Sequence, residues 1–263
     1  MENESTNELS ALSRREQIYS ILREKGSITV KEISDIFGVS NMTIRRDLHI
    51  MEEQGILIMH YGGATLRNAH PSFMDFDARQ ETDYNIKIAI AKKASEYIKE
   101  NDILYMDTST TVNLMTRFLP NFHLTIVTNA LSVMNATVHN PNIKVYFAPG
   151  FYSKEHGGSM DYKTSEYLAN MHYTAAFLGA ASIDADFGLS SCEDSETLIK
   201  RIVIKNTDRN YLLADHSKFG RKDFNKIADI KDFELIFTDS DLYEERRRKI
   251  LANGGRISLC YAQ

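Results

Sequence analysis

The sequence predicts an α/β protein of two domains, a small N-terminal domain of helices and a hairpin followed by a larger α/β domain. Residues 1–66 contain short amphipathic helices and then a hairpin pattern. Periodicity lapses over 67–80, and from 81 to 263 apolar strand segments alternate with helical ones. We therefore place the domains at 1–66 and 81–263, joined by a linker, with a flexible start at 1–12.

The composition is that of an ordinary folded protein. The 263 residues are 43% hydrophobic and 25% charged, and no apolar run approaches the roughly 20 residues that span a bilayer. Residues 1–10 are acidic and polar, unlike a secretory signal, so we expect a cytoplasmic protein that contacts no membrane. The two cysteines suggest neither a disulfide framework nor a zinc site. The net charge of −5 argues against nonspecific coating of nucleic acid.

Two amphipathic helices are predicted first. One spans residues 13–25, where Ile18, Ile21 and Leu22 recur at helical spacing, and Gly26 stops it. Residues 29–32 then have the capping-box pattern that starts a second helix. The apolar face expected of this second helix consists of Ile33, Ile36 and Phe37.

A third helix and a hairpin complete this domain. After a short turn at Gly38, Ser40 is placed to cap a helix at residues 41–54. The core face of this helix consists of Ile44, Leu48 and Met51. Residues 56–61 and 64–66 flank a Gly-Gly turn and predict a hairpin. Helix, tight turn, helix and hairpin is the order of a winged helix-turn-helix.

The third helix has the pattern of a DNA-recognition helix. Such a helix enters the major groove with its first residues nearest the base edges, so Asn41, Thr43 and Arg45 are candidates for direct readout. Arg46 could equally bind phosphate. Two more polar residues of this segment are expected at the DNA, Ser40 and His49. A solvated charged face is the alternative interpretation of residues 45–47 alone, but the ordered constellation favours double-stranded operator DNA as the partner.

Apolar strand segments alternate with helical patterns in the larger domain. The candidate strands are 103–106, 124–127, 144–147, 175–178, 211–214 and 235–238, and a last one at 256–261 is expected to add an edge. This alternation predicts a largely parallel sheet. In such sheets the carboxyl ends of the strands gather into the ligand crevice.

Polar loops follow several of these strands. After the first, Asp107-Thr108-Ser109-Thr110-Thr111 leads into a helix and points hydroxyls and free backbone amides at one spot, which suits a phosphate. The alternative is simply a Ser/Thr-capped helix start. Further loops expected at the same edge contain Asn129, Gly150, residues 180–184 and residues 215–220.

Two lysines are candidates for neutralising a phosphoryl group, Lys200 in a helical stretch and Lys218 in a loop. The histidines are scattered, and Asp184 with Asp186 fits a polar loop better than a metal site. We therefore expect no metal, no cofactor and no catalytic residue.

Motifs in both domains resemble those of one family. The segments 13–15, 37–40, 43–48 and 62–64 are similar to motifs of the DeoR family of bacterial regulators, and so are 107–111, 128–129, 200–201 and 217–220. The resemblance covers nearly the whole chain. It also implies DNA contacts for Arg14, Arg15, Gly62 and Gly63.

The resemblance implies a role for the larger domain as well. In the family this domain resembles the ribose-5-phosphate isomerase fold and binds phosphorylated sugars as inducers. It implies a repressor of carbohydrate catabolism genes that a sugar phosphate releases from its operator. Because one helix-turn-helix buries little surface, we expect a homo-oligomer, a dimer or tetramer, on paired half-sites.

Three other functions fit parts of the sequence. An isomerase-like enzyme with an accessory DNA-binding domain would need an acid/base carboxylate, for which Asp107 or Asp184 could serve. Ala181 and Ser182 stand where the isomerase pattern places an aspartate, which disfavours catalysis. A winged helix that binds protein and not DNA is disfavoured by the paired arginines at 45 and 46. An activator is not distinguished from a repressor by any residue.

Overall fold

The structure is a computed structural model that describes residues 11–53, 56–60, 62–66 and 76–262. The chain divides into two compact units between residues 74 and 75, called here the N-terminal unit and the C-terminal unit. The division falls inside the predicted linker. Residues 1–10 and 67–75, and with them most of the predicted flexible start and linker, lie outside the described residues.

In its described residues, the N-terminal unit has three helices and a three-stranded antiparallel sheet in the order β1-β3-β2. These elements are α1 (Ala11–Lys25), β1 (Ser27–Thr29), α2 (Val30–Phe37), α3 (Asn41–Glu53), β2 (Leu57–His60) and β3 (Gly63–Leu66). The predicted helices and hairpin are confirmed. The sequence does not predict β1, because three residues are too few for a strand period to show.

Local sequence explains where α2 and α3 begin. Thr29 Oγ1 accepts the Glu32 N–H at 3.1 Å and Glu32 Oε2 accepts the Thr29 N–H at 3.5 Å, so the predicted capping box is present. Gly38 ends α2 at φ 63°, a conformation that favours glycine. Ser40 Oγ then accepts the Thr43 N–H at 3.2 Å and caps α3.

The apolar faces of these helices meet in one core, which includes Ile18, Leu22, Ile33, Ile44, Leu48, Met51 and Leu57. The expectation that Ile36 joins this core is wrong, since its side chain is 53% exposed. Val30, Ile33 and Phe37 lie within about 60° of one another around α2, whereas Ile36 is turned away from that stripe.

The C-terminal unit is built on a seven-stranded parallel sheet. Its strands are β4 (Ile103–Met106), β5 (Leu124–Thr128), β6 (Ile143–Phe147), β9 (Ala175–Gly179), β12 (Asn210–Leu213), β14 (Leu235–Asp239) and β15 (Ile257–Cys260). They lie in the order β15-β14-β12-β9-β4-β5-β6, and every neighbouring pair is parallel. The predicted parallel alternation and the terminal edge strand are confirmed.

Helices cover both faces of this sheet. They are α4 (Phe76–Glu81), α5 (Tyr84–Ser95), α6 (Thr110–Met115), α7 (Leu131–Thr137), α8 (Tyr162–Ala169), α9 (Asp194–Lys205) and α10 (Glu244–Ala252). Tyr105 belongs to one apolar core, and its neighbours Leu104 and Met106 belong to the other. Successive strand residues point to opposite faces, so a separate core fills each side. None of the described helices is long and apolar enough to cross a membrane.

Several short elements differ from the prediction. The predicted linker is helical in its last part, because α4 occupies residues 76–81. Segments that lie between the parallel strands along the chain also form a short hairpin and a separate three-stranded antiparallel sheet. They consist of β7 (Tyr152–Ser153) with β8 (Gly158–Ser159), and of β10 (Ser182–Asp184), β11 (Gly188–Ser191) and β13 (Asn225–Ala228). Elements of two to six residues are too short to establish a period.

Candidate functional site

The exposed face of α3 carries the predicted base-reading residues. One face of α3 is buried through Ile44, Leu48 and Met51. The other face is exposed and carries Asn41, Arg45 and Arg46. Within the described residues, neither guanidinium has an ion pair or hydrogen bond. A helix that holds two unpaired arginines in solvent has donors available for DNA.

The other polar residues predicted on this helix have protein partners. Ser40 Oγ lies 2.9 Å from Thr43 Oγ1, so the cap engages both hydroxyls. The exposed His49 has Nδ1 3.5 Å from Glu52 Oε2. All three residues lie on α3 or its cap.

Arg14 is engaged inside the N-terminal unit. Its Nε donates to Asp47 Oδ2 at 2.6 Å, and the two side chains are only 12% and 4% exposed. The expectation of an Arg14 contact to DNA is therefore replaced by a positioning role, because the ion pair ties α1 to α3. Arg15 is half-buried, and its predicted DNA contact stays a prediction.

We expect Asp47→Asn to destabilise the N-terminal unit by about 2 kcal/mol, the usual range for a hydrogen bond to a charged group. The amide would leave the Arg14 guanidinium with a weaker acceptor. Urea unfolding followed by helical circular dichroism measures the change. The control is Asp35→Asn on the exposed face of α2, and equal midpoints for the two variants would contradict the assignment.

The two glycines of the hairpin have different roles. Gly62 is exposed at φ 89°, and its carbonyl accepts the Val30 N–H at 2.8 Å. Gly63 is buried in β3, where a Cβ would lie 2.0 Å from the Ile28 carbonyl oxygen. Gly63 therefore belongs to β3 and not to the predicted Gly-Gly turn. Its predicted DNA contact is replaced by close packing against β1. Gly62 keeps its predicted place at the tip.

At the carboxyl end of β4, Asp107 organises a buried polar network. Its carboxylate accepts the Ser109 N–H at 2.8 Å and the Gly179 N–H at 2.7 Å. Lys200 Nζ lies 3.4 Å from the same carboxylate and donates to Gly179 O at 2.7 Å and to Glu196 Oε1 at 2.6 Å. Lys200 is therefore a buried internal cation, and its predicted effector contact is replaced by this role.

The charges of this network stabilise one another. Burial raises the pKa of Asp107. Burial would also raise the pKa of Glu196, but the charge and hydrogen bonds of Lys200, with the Ser191 hydroxyl, lower it to about 2. Burial opposes the charge of Lys200, yet the two carboxylates raise its pKa. Glu196 is not among the predicted site residues, although its i,i+4 spacing from Lys200 on a helix is a recognisable signal.

Some of the hydrogen-bonding groups in the loop after Asp107 already have partners within the loop. Ser109 Oγ accepts the N–H groups of Thr111 and Val112 at 3.2 and 3.5 Å, so these amides are not free and the expectation that they await a ligand is wrong. The alternative interpretation, a capped helix start, is correct for Ser109. The hydroxyls of Thr108, Thr110 and Thr111 have no partner among the described residues. These three hydroxyls are the available groups of the loop.

Asn129 and Gly150 are held by the protein. Asn129 Oδ1 accepts the Tyr105 hydroxyl at 2.7 Å, and its Nδ2 donates to Ser159 O at 2.8 Å. Gly150 has φ 146°, and a Cβ there would lie 2.2 Å from Thr164 Oγ1 and 2.5 Å from Asp161 Oδ1. The predicted ligand contact of Asn129 is replaced by a positioning role, because these partners use both groups of its amide. The predicted ligand contact of Gly150 stays a prediction.

Lys218 lies beside a buried carboxylate at the end of β12. Its Nζ is 3.6 Å from Asp215 Oδ2, and its side chain is 17% exposed. Burial opposes ionisation of Asp215, but Lys218, Ser217 and Lys87 lower its pKa. Lys87 is not among the predicted site residues, although a lysine on the otherwise apolar stripe of Ile90, Ala91 and Ala94 is an available signal.

A group of three side chains among the described residues has donor atoms within 4.8 Å of one another, His216, Asp239 and Asp241. Asp239 accepts the His216 N–H at 2.7 Å and lies 2.8 Å from its Nδ1. These bonds tie the loop after β12 to the end of β14. The expectation of no metal and no cofactor stays a prediction.

Both units match models of one family. Residues 14–69 match the DeoR-like helix-turn-helix domain, and residues 82–240 match the DeoR C terminal sensor domain. A partial likeness also joins the chain to ribose 5-phosphate isomerase A from Methanocaldococcus jannaschii. The TM-score is 0.39 at 18% identity, over 52% of this chain and 55% of that chain.

Curated relatives match over most of their length. The uncharacterized HTH-type transcriptional regulator YulB of Bacillus subtilis is 33% identical over 229 residues, 87% of this chain and 89% of the relative. The glycerol-3-phosphate regulon repressor of Escherichia coli is 31% identical over 228 residues, 86% of this chain and 90% of the relative. Together with the family models, these relatives show that the chain belongs to the DeoR family of DNA-binding transcriptional regulators.

Proposed function

We propose that the chain is a repressor of sugar or carbohydrate catabolism genes that a phosphorylated sugar releases from operator DNA. The proposal rests on one observation, the combination on a single chain of an exposed arginine face on α3 and hydroxyls at the carboxyl edge of the parallel sheet, both without a partner among the described residues. The first suits double-stranded DNA. The second suits an oxygen-rich ligand at the usual ligand edge of such sheets.

The names of relatives support this ligand class. They include the glycerol-3-phosphate regulon repressor, a putative aga operon transcriptional repressor of Escherichia coli and a lactose phosphotransferase system repressor of Staphylococcus epidermidis. A phosphorylated ligand would place its anion near Lys218 and its hydroxyls near Thr108, Thr110 and Thr111. In this proposal the C-terminal unit binds the sugar phosphate without converting it.

Release follows from linkage. If the effector binds more tightly to a conformation or assembly with low operator affinity, its accumulation depopulates the DNA-bound state. Because a single helix-turn-helix buries little surface, we propose a dimer or tetramer that reads paired half-sites.

The test is fluorescence-anisotropy binding to DNA from upstream of the protein's own gene, at fixed salt. Inorganic phosphate, glycerol 3-phosphate, ribose 5-phosphate and glucose 6-phosphate are then added to the complex. We expect specific binding that one sugar phosphate releases. Absence of specific binding would overturn the DNA half of the proposal, and release by none of the sugar phosphates would overturn the effector half.

Lys218→Ala should leave operator affinity unchanged and raise the sugar phosphate concentration needed for release about tenfold, as expected for loss of a charge-assisted hydrogen bond. The same anisotropy titration measures this shift. Lys222→Ala is the control, because that ammonium is 54% exposed and lies 3.3 Å from Asp184. Equal release curves for the two variants would remove Lys218 from the site.

A further inference from the structure

The base of the β7–β8 hairpin is bonded to the backbone that follows β5, close to the loop after Asp107. Asn129 holds Ser159 through two hydrogen bonds. The Asn129 carbonyl oxygen accepts the Ser159 N–H at 2.8 Å, and Asn129 Nδ2 donates to Ser159 O at 2.8 Å. Gly157 O accepts the Leu131 N–H at 3.0 Å. The base of the hairpin is therefore fixed to residues 129–131.

The side chain of Thr108 packs directly on this base. A Cβ on Gly158 would lie only 2.7 Å from Thr108 Cγ2 and 2.2 Å from Asn129 O, so this close approach requires a glycine. Thr108 thus presents its methyl group to Gly158, while its hydroxyl has no partner among the described residues. Because a β-branched side chain has few rotamers, a ligand that binds the hydroxyl also fixes the methyl group.

The tip of the hairpin is tied to its base. The Gly157 N–H donates to Ser153 O at 2.9 Å, and Ser153 Oγ lies 2.9 Å from His156 Nδ1. Ser153 Oγ also accepts the His156 N–H at 3.3 Å. At the other end of the two strands, the Met160 N–H donates to Phe151 O at 2.9 Å. Because these bonds close the hairpin along its length, a displacement of the base carries the tip with it.

The hairpin in turn holds α4. Arg79 donates to Glu155 O at 2.7 Å, and its guanidinium lies 5.8 Å from the centroid of the Phe76 ring. The same ring packs against Gly157, where a Cβ would lie 2.9 Å from it. Helix α4 is the first described helix of the C-terminal unit. A continuous series of contacts through the hairpin therefore joins Thr108 to the start of this unit.

We propose that the β7–β8 hairpin transmits occupancy of the candidate effector site to α4. In the occupied state, a ligand on the Thr108 hydroxyl holds the methyl group against Gly158, the hairpin stays closed, and α4 is held through Arg79 and Phe76. Without the ligand, the hairpin opens more often and α4 loosens with it. The inference rests on the proposed function and adds the route of regulation. By linkage, an effector that favours the closed hairpin binds more tightly when the hairpin is closed.

Hydrogen–deuterium exchange of the full chain tests this route with two substitutions at one position. Thr108→Ser keeps the hydroxyl and removes the methyl group from Gly158. Amides of residues 76–82 and 151–160 should then exchange about fivefold faster, the usual effect of deleting one buried methyl group. Thr108→Val keeps the methyl group, so exchange should match that of the unsubstituted protein. Thr207→Ser, beside the amino ends of β9 and β12, is the control for loss of a threonine methyl group.

Arg79→Met interrupts the far end of the route. It removes the hydrogen bond to Glu155 O, so residues 76–82 should exchange about fivefold faster, while residues 157–160 should be unchanged. Adding Thr108→Ser to this variant should speed exchange at 76–82 by less than about twofold, because both changes act through the same contacts. Fully additive effects, or a Thr108→Ser effect confined to residues 151–160, would overturn the inference.

A ligand experiment separates this inference from the proposed function. Glycerol 3-phosphate, ribose 5-phosphate and glucose 6-phosphate are added in turn at matched ionic strength, and both exchange and operator anisotropy are measured. A sugar phosphate that releases DNA should slow exchange at residues 76–82 in the unsubstituted protein and not in Arg79→Met. If it releases DNA without slowing exchange there, the proposed function stands and the hairpin route is wrong. If none releases DNA, the proposed effector is wrong, and the substitutions alone decide whether Thr108 is coupled to α4.

Discussion

Lys200→Met is expected to destabilise the C-terminal unit by about 3–5 kcal/mol, the usual cost of removing one partner from a buried ion pair. Asp107 and Glu196 would be left buried without their shared cation. Urea unfolding followed by tyrosine fluorescence measures the loss. Lys205→Met, at the exposed end of the same helix, should cost less than about 1 kcal/mol, the usual limit for a surface charge at a helix end.

The pH dependence gives a second test of this network. The pKa of Glu196 falls from 4.5 to about 2 on folding, so its contribution is fully present above pH 4.5 and is lost as the pH falls towards 2. In Lys200→Met, burial instead raises the pKa values of Asp107 and Glu196. The stability lost relative to the unsubstituted protein, the deficit, should therefore narrow as the pH falls from neutral towards 4.5. A deficit that is independent of pH would show that the loss comes from packing and not from unpaired charge.

Arg45→Ala should weaken specific operator binding by about 1–3 kcal/mol and relax the preference at one base pair, because an arginine that reads a base edge contributes in that range. Arg46→Ala should weaken binding to all sequences alike and reduce the salt slope by about one, if it contacts phosphate. Anisotropy titrations over several salt concentrations, on the operator and on single base-pair variants of it, distinguish the two.

The control for the arginines is Arg248→Ala, which removes the same charge from an exposed position on α10. It should change operator affinity less than about twofold, as expected for an exposed, screened charge outside the N-terminal unit. Effector binding should be unaffected in all three variants. If Arg45→Ala and Arg46→Ala bind DNA as well as Arg248→Ala does, α3 is not the recognition helix.

The fold was predictable where its signals are local. The Thr29–Glu32 capping box lies within one turn, and Gly38 and Ser40 bound α2 and α3 through their own backbone and hydroxyl groups. Buried parallel strands of four or five residues, such as Ile103–Met106, also stand out as apolar runs. Elements such as β1 and α4 were not predicted, because they are too short for a hydrophobic period to show and depend on contacts with other parts of the chain.

The candidate site was predictable in position and only partly in role. The loop at Asp107, the lysines at 200 and 218 and the arginines of α3 were identified from residue type and spacing. Whether each group is available depends on partners far away in the chain. Arg14 pairs with Asp47 across 33 positions, and Asp107 binds the Gly179 amide across 72 positions.

The sequence by itself therefore determined the two-domain plan, the helices and hairpin of the N-terminal unit, the parallel sheet and the family, because these depend on local periodicity, caps and ordered motifs. Only the tertiary structure decided which polar groups are engaged and which are available. It placed Lys200 and Asn129 in internal hydrogen bonds, left the hydroxyls of Thr108, Thr110 and Thr111 without a partner among the described residues, and set the Lys87 ammonium on the carbonyls of residues 79 and 82. The physical reason is that a buried polar group must find its partner in space, and long-range chain contacts set that partner.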